Sequence, residues 1–351
     1  MTEAPGTPLR RLVVDLAAAS PTWALPPEGA ARIRAAAPPG WEVVMVQSPT
    51  VSDGDGGRAA SAEALEAIAT AEVYFGFGIT RDLLLAAPRL RWVHSATAGV
   101  SSLLFPELVA SDVILTNSAG VMGDPIAEYV LAGVLYFLRG LDVALEQQRR
   151  AEWNKEPFVG ATSWIRELSE CRALIVGTGG IGSAVARRLA ALGARCTGVR
   201  RQAGRPVPEG FSRIAFAEHL DAELPSADIL VLATPLTKLT RNLIGAARLD
   251  CLPRGAIVVN VSRGALLDEV ALVQRLRSGW LRGAVLDVFQ EEPLPAASPL
   301  WRLPNVLITP HVSAVSPARF WVRELDLFLD NWMRYCAGEP LRNQVDKEAG
   351  Y

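Results

Sequence analysis

Histidine and cysteine are scarce in this chain. Of 351 residues only three are histidine (His94, His219 and His311) and four are cysteine (Cys171, Cys196, Cys251 and Cys336). No two cysteines have the close spacing of a metal knuckle or a redox motif, and three scattered histidines leave no histidine-rich metal site. Cysteines this dispersed suit a reducing compartment, so a cytoplasmic protein is expected. Charge of one sign is also missing. The net charge is −2 and charged residues make up 21% of the chain, which excludes the broad basic field that attracts nucleic acid or anionic lipid. Nor is there a membrane-spanning run. "PIAEYVLAGVLYFLRG" is strongly apolar, but Glu128 interrupts it and it falls short of the ~20 residues a bilayer needs. Near the start, "PLRRLVVDLAAASP" has the paired arginines and small residues of a leader, but Asp15 breaks its apolar part, and a first β-strand is the better reading. No internal repeat is visible.

Half of the residues are apolar, and a chain of this length can bury two cores of ordinary size. The first half alternates strand-like runs, "RRLVVDL", "WEVVMVQ", "EVYFGFG", "LRWVHSA" and "DVILTNS", with alanine- and leucine-rich helical stretches. "SDGDGGRAAS" reads as a surface loop. At "GDPIAEYVLAG" a helix is expected to start, with Asp124 as N-cap and Pro125 at the first helical position. A second series follows: "RALIVG", "ARCTGVR", "ADILVLATP", "GAIVVNVS", "GAVLDVF" and "NVLITP". Continuous Val/Ile/Leu runs are the mark of strands buried on both faces. The fold class is therefore α/β, with two doubly wound parallel-sheet domains. From Pro317 the chain turns helical again and is expected to return to the first domain. The expected boundaries are 1–119 with 318–351 for the first domain and 120–317 for the second.

Within "GTGGIG" each glycine has a distinct task. Gly177 allows a tight turn after the strand, Gly179 lets the backbone approach a pyrophosphate, and Gly182 lets the following helix pack closely on the strand. Gly180 and Ile181 open that helix, whose N-terminal dipole favours an anion, and belong to the same dinucleotide-binding turn. At the end of the next strand, an acid would bind the ribose hydroxyls of NAD(H). The chain has Arg200 and Arg201 there instead, which suit the extra phosphate of NADP(H) by charge and by fork geometry. NADP(H) is thus preferred, with NAD(H) as the other possibility.

Three later strands each end in a residue that chemistry can use: Arg263 after "AIVVNVS", Glu292 after "GAVLDVF", and His311 after "NVLITP". Ligands of open parallel sheets bind beyond the carboxyl ends of the strands, so the three are expected to converge there. The set fits hydride transfer to a 2-oxo acid. Arg263 would hold the carboxylate and polarise the carbonyl. His311 would give a proton to the forming alkoxide. Glu292 would fix the tautomer and favour the charged imidazole.

The stretches "RLRWVHSATAGV", "ALIVGTGGIGSAVARRLAALG", "VVNVSRGALLDEVALVQRL" and "RGAVLDVFQEEPLPAASPLWRLPNVLITPH" resemble the D-isomer-specific 2-hydroxyacid dehydrogenase family. The spacing of Arg263, Glu292 and His311 matches that family's catalytic triad. The resemblance implies a Rossmann cofactor domain inserted into a flavodoxin-like substrate domain. It also implies that amides near Ala98 and Gly99 hold the substrate carboxylate, and that Thr234 and Pro235 line the cofactor cleft. Val261, Ser262 and Asp287 would contact the nicotinamide end, and the helix from Asp124 would help form a homodimer. The arginines at the second strand resemble those of the family's NADPH-using glyoxylate and hydroxypyruvate reductases. Two alternatives stand beside this reading: a non-catalytic dinucleotide-sensing protein, like the family's corepressors, and a dehydrogenase of another anion such as phosphite.

Overall fold

Strand β1 (Arg10–Asp15) reads RRLVVD, and its last four residues are buried. In this computed structural model, which describes residues 9–48, 51–52, 58–201, 203–204 and 206–350, β1 lies inside a parallel sheet. Its companions are β2 (Trp41–Met45), β5 (Val73–Gly76), β6 (Trp92–Ser95) and β7 (Ile114–Asn117), in the order β2-β1-β5-β6-β7. This is the flavodoxin-like doubly wound order. Between β2 and β5, β3 (Val51–Ser52) pairs antiparallel with β4 (Arg58–Ala59). The loop expected at 52–61 therefore has paired flanks, while residues 53–57 lie outside the described residues.

The helix Phe320–Ala337 covers this first sheet. Phe328 stacks on Phe75 at 3.9 Å between centroids, and the Trp332 indole donates to the Ala36 carbonyl at 3.0 Å. Gly338, at φ 72°, ends the helix in the left-handed conformation that stops helices without strain. Beyond it, Val345 N donates to Leu115 O at 2.8 Å and Gln344 bridges Thr116 antiparallel, so the chain finishes alongside β7. This unit consists of residues up to Val121 and from Ser316 onward.

The second unit, Met122–Val315, holds seven parallel strands. They are β8 (Arg172–Val176), β9 (Arg195–Arg200), β10 (Arg213–Phe216), β11 (Ile229–Leu232), β12 (Ile257–Asn260), β13 (Gly283–Leu286) and β14 (Val306–Ile308). Their order is β10-β9-β8-β11-β12-β13-β14, the dinucleotide-binding arrangement with one strand added at the edge. Every residue of β11, β12 and β13 is buried, as helices on both faces require. The helix Gly123–Leu138 lies close on this sheet: a Cβ at Gly133 would meet Val285 Cγ1 at 2.7 Å.

One local expectation fails. Asp124 does not cap its helix, which begins one residue earlier at Gly123 with Met122 as N-cap and no side-chain capping bond. The carboxylate instead takes Arg188 Nη2 at 3.1 Å. A charged partner on a neighbouring helix outcompetes a backbone amide for the same oxygen. No helix among the described residues is long and apolar enough to cross a membrane.

Candidate active site

In the second unit, the turn after β8 places its three glycines under different steric constraints. Gly177 sits at φ 105°, and a Cβ there would lie 2.4 Å from the Ala233 carbonyl oxygen, so only glycine serves. Gly182 leaves no room either, with the Gly177 carbonyl oxygen 1.9 Å from where a Cβ would be. Gly179 is the opposite case: nothing stands within 4 Å of its Cβ position. Gly179 and Gly180 are exposed, and Ile181 is half-buried at the start of the 12-residue helix Gly180–Ala191. Open space in front of unbonded helix N–H groups is what a pyrophosphate needs, so these residues fit a dinucleotide.

Arg200 is the last residue of β9 and Arg201 follows it, exposed. Arg200 Nη1 donates to the Pro206 carbonyl at 3.1 Å. After β11, Thr234 is half-buried and Pro235 exposed. The Ser262 hydroxyl donates to the Thr234 carbonyl, tying the loop after β11 to the loop after β12. Val261 is buried beneath them.

The catalytic candidates follow three adjacent strands. Asn260, Leu286 and Ile308 are aligned in register across β12, β13 and β14, so the segments beyond them leave the sheet side by side. Arg263 is held through its own main chain: Asn260 Nδ2 donates to the Arg263 carbonyl at 3.0 Å, and Asn260 Oδ1 accepts from Ser262 N at 3.2 Å. Glu292 Oε1 accepts from Phe289 N at 2.8 Å, and Oε2 lies 2.8 Å from His311 Nδ1. That contact puts a proton on Nδ1 and makes Nε2 the nitrogen available for acid–base exchange. The His311 side chain is 36% exposed and that of Glu292 20%. A Cβ on Gly264 would fall 1.8 Å from the Phe289 carbonyl carbon. The backbone that carries Arg263 thus touches the backbone that carries Glu292.

Asp287 is 1% exposed and both its oxygens are engaged. Oδ1 accepts from Val312 N at 2.8 Å and from the Thr309 hydroxyl at 2.5 Å, and Oδ2 from Ser313 N at 2.9 Å. His311 N donates to the Asp287 carbonyl at 2.9 Å. His311 itself has φ 54°, a left-handed conformation unusual for histidine, and the Asp287 bonds hold the chain in it. The Tyr129 hydroxyl lies 2.8 Å from the Thr309 hydroxyl, and burial pushes the phenol up to about 12.

In the first unit, Ala98 is half-buried and Gly99 exposed, in the loop beyond β6. Asn117 Nδ2 donates to the Ala98 carbonyl at 2.7 Å and Thr97 Oγ1 to the Gly99 carbonyl at 3.1 Å. With the carbonyls engaged, the loop's peptide orientations are set. His94 is fully buried, 2.7 Å from Thr116 Oγ1 and 3.1 Å from Glu324 Oε1, which gives it a place in the core of this unit.

Residues 131–313 match the family model of the D-isomer specific 2-hydroxyacid dehydrogenase NAD binding domain. The chain belongs to the D-isomer specific 2-hydroxyacid dehydrogenases. It is 35% identical over 277 residues to glyoxylate/hydroxypyruvate reductase A of Salmonella newport (strain SL254), covering 76% of this chain and 84% of the relative. Among solved structures, a D-isomer specific 2-hydroxyacid dehydrogenase from Xanthobacter autotrophicus Py2 in complex with NADPH and MES has a TM-score of 0.78 at 33% identity, over 97% of this chain and 99% of that one. The NADPH-dependent glyoxylate/hydroxypyruvate reductase of Sinorhizobium meliloti, with NADP and sulfate, has a TM-score of 0.75 at 30% identity, over 97% and 100%.

As a D-isomer specific 2-hydroxyacid dehydrogenase, the chain is an NAD(P)-dependent oxidoreductase. The sequence singled out Arg263, Glu292 and His311 but not the residues that hold their loops. Asn260 and Asn117 bond main-chain groups of neighbours, and Thr309 bonds the Asp287 carboxylate and lies against the Tyr129 hydroxyl; such partners leave no spacing pattern to detect.

Proposed function

We propose that this chain is a reductase of small 2-oxo acids that prefers NADPH, with glyoxylate and hydroxypyruvate as the favoured substrates. The Glu292–His311 contact carries the reading, because it equips one imidazole to give a proton at Nε2. When bound, the nicotinamide supplies the hydride that the carbonyl carbon accepts. His311 then donates its Nε2 proton to the oxygen left with the negative charge, and the product is a 2-hydroxy acid. Glu292 stabilises the imidazolium before that transfer. Arg263 binds the carboxylate and draws electron density from the carbonyl oxygen. Amides of Ala98 and Gly99 take the carboxylate as well. Gly177, Gly179, Gly180, Ile181 and Gly182 hold the pyrophosphate, and Thr234, Pro235, Val261, Ser262 and Asp287 serve the nicotinamide half. Arg200 and Arg201 at the end of β9, together with the NADPH- and NADP-bound relatives, support the preference for the phosphorylated cofactor.

A homodimer fits the exposed apolar side chains that follow helix Gly123–Leu138, among them Trp153 at 91% and Val159 at 75% exposure. Four free cysteines support a cytoplasmic location. The test mixes purified protein with NADPH or NADH and a panel of 2-oxo acids while the reduced cofactor is followed by absorbance. Oxidation of NADPH with glyoxylate or hydroxypyruvate is expected. Tight NADPH binding without turnover on any acid would leave a dinucleotide-sensing protein or a dehydrogenase of another anion such as phosphite, which oxidation of phosphite with NADP tells apart.

A further inference from the structure

Glu269 is the first residue of helix Glu269–Arg277. An acid there usually serves as a favourable charge at a helix N-terminus. Capping itself falls to Asp268, whose carboxylate accepts from Ala271 N at 3.0 Å. Glu269 reaches elsewhere. Its Oε1 accepts from the backbone amide of Gln290 at 2.6 Å, and the Gln290 side chain returns a bond from Nε2 to the Leu267 carbonyl at 2.7 Å. Gln290 is thereby tied to the residues on either side of Asp268. The neighbouring amide, Phe289 N, donates to Glu292 Oε1, and Glu292 Oε2 holds His311. The Phe289–Gln290 peptide is also the one that Gly264 touches, directly after Arg263. One short peptide therefore contacts the backbone of the arginine loop, the carboxylate that orients the histidine, and Glu269.

We propose that Glu269 is a positioning residue for the proton-donating pair: by clamping the Gln290 amide it holds Glu292 in place against the loop that bears Arg263. The inference rests on the reading of His311 as the proton donor. A carboxylate accepting from a main-chain amide is a charge-assisted bond, stronger than the water-mediated alternative open to an exposed loop. Half-burial raises the Glu269 carboxyl, and repulsion from Glu292 adds to that, so the two carboxylates act on each other. Charged and titratable groups lie around His311 on several of the described elements. Glu292 is at Nδ1, and Asp287 is bound to the two amides that follow. Arg263 is on the adjacent loop, Glu269 is behind Glu292, and Tyr129 stays neutral behind Thr309. Removing the negative charge of Glu269 therefore lowers the proton affinity of the imidazole.

The test compares full-length E269A and E269Q with the parent protein. E269A loses the clamp, and kcat for 2-oxo acid reduction should fall about tenfold or more, since small misplacements of catalytic groups are costly. Its KM for NADPH should stay unchanged, because the turn at 177–182 is untouched. E269Q keeps an acceptor oxygen without the charge. It should restore much of kcat, while the alkaline limb of kcat/KM moves to lower pH. The same shift should appear in the His311 imidazole titration followed by NMR, with its signal assigned by H311N. Parent-like kcat in E269A, or an unmoved His311 titration in E269Q, overturns the proposal and reduces Glu269 to a helix-end charge. If the parent turns over no 2-oxo acid at all, the functional reading fails, and the NMR titration still decides the role of Glu269.

Discussion

Gly264→Ala is the most severe test of how the two catalytic loops are joined. An alanine Cβ would stand 1.8 Å from the Phe289 carbonyl carbon, 2.0 Å from its oxygen and 2.3 Å from Gln290 N. Carbon atoms in contact sit at about 3.5–4.0 Å, so the Phe289–Gln290 peptide must retreat by about 1.7 Å or more. The obstacle is backbone, so no side-chain rotation relieves it. The retreating peptide carries the Gln290 amide that binds Glu269 and adjoins the Phe289 amide that binds Glu292, so Glu292 and its histidine move away from Arg263. A misplacement of about 1 Å costs on the order of 100-fold in rate, and kcat/KM should fall by at least that factor. Overpacking should also destabilise by about 1–3 kcal/mol, which for a unit of this size lowers Tm by about 2–12 °C. NADPH affinity, measured by fluorescence, should survive, because the glycine turn lies at other strands. Gly245→Ala is the comparator: its nearest neighbour is Asn242 Nδ2 at 3.5 Å, and it should leave kcat/KM unchanged. A folded Gly264→Ala protein with parent kcat/KM would show that the two loops need no contact, and the coupling argument would be wrong.

Three further outcomes are expected. His311→Asn should lower kcat by about 100-fold or more through loss of the proton donor, with NADPH binding intact; an unchanged rate removes His311 from the mechanism. Replacing Arg200 and Arg201 together with glutamine should raise KM for NADPH and leave KM for NADH nearly unmoved; equal losses with both cofactors contradict the phosphate assignment. Glu72 accepts two bonds from Arg10 and one from the Tyr335 hydroxyl at 2.7 Å, and the Arg10 guanidinium holds its carboxyl below the usual 4.5. Its stabilising effect is complete above pH 4.5 and is lost as pH falls through the lower folded value. The Tm deficit of Glu72→Gln should therefore be present at neutral pH and shrink in acid; a deficit constant with pH means that the charge does not matter there.

The sheets were legible because buried parallel strands leave continuous apolar runs. "ILVL", "IVVN" and "GAVL" became β11, β12 and β13, and the carboxyl ends of their neighbours gave the place to look for chemistry. Strand β10, "RIAF", escaped notice: it is short, an edge strand, and begins with a charged residue. The Asp124 cap was misjudged for a related reason. A capping rule considers only the local backbone, whereas Arg188 comes from another helix.

The supports of the site were not legible, and the chemistry explains why. Arg263, Glu292 and His311 were picked out because each follows a strand end and carries a side chain able to bind an anion or move a proton, and His311 is one of only three histidines in the chain. Asn260, Asp287 and Glu269 act by holding main-chain amides and carbonyls, groups that every residue possesses. Nothing in the partner's identity then points back to the holder. Asp287 shows the consequence. Its position invites a role toward the nicotinamide, yet its oxygens are engaged with Thr309, Val312 and Ser313. Those bonds keep His311 at its left-handed φ. A side chain at that position therefore constrains the geometry of the acid whether or not it also touches the cofactor, and substitutions there should change proton transfer before they change cofactor affinity.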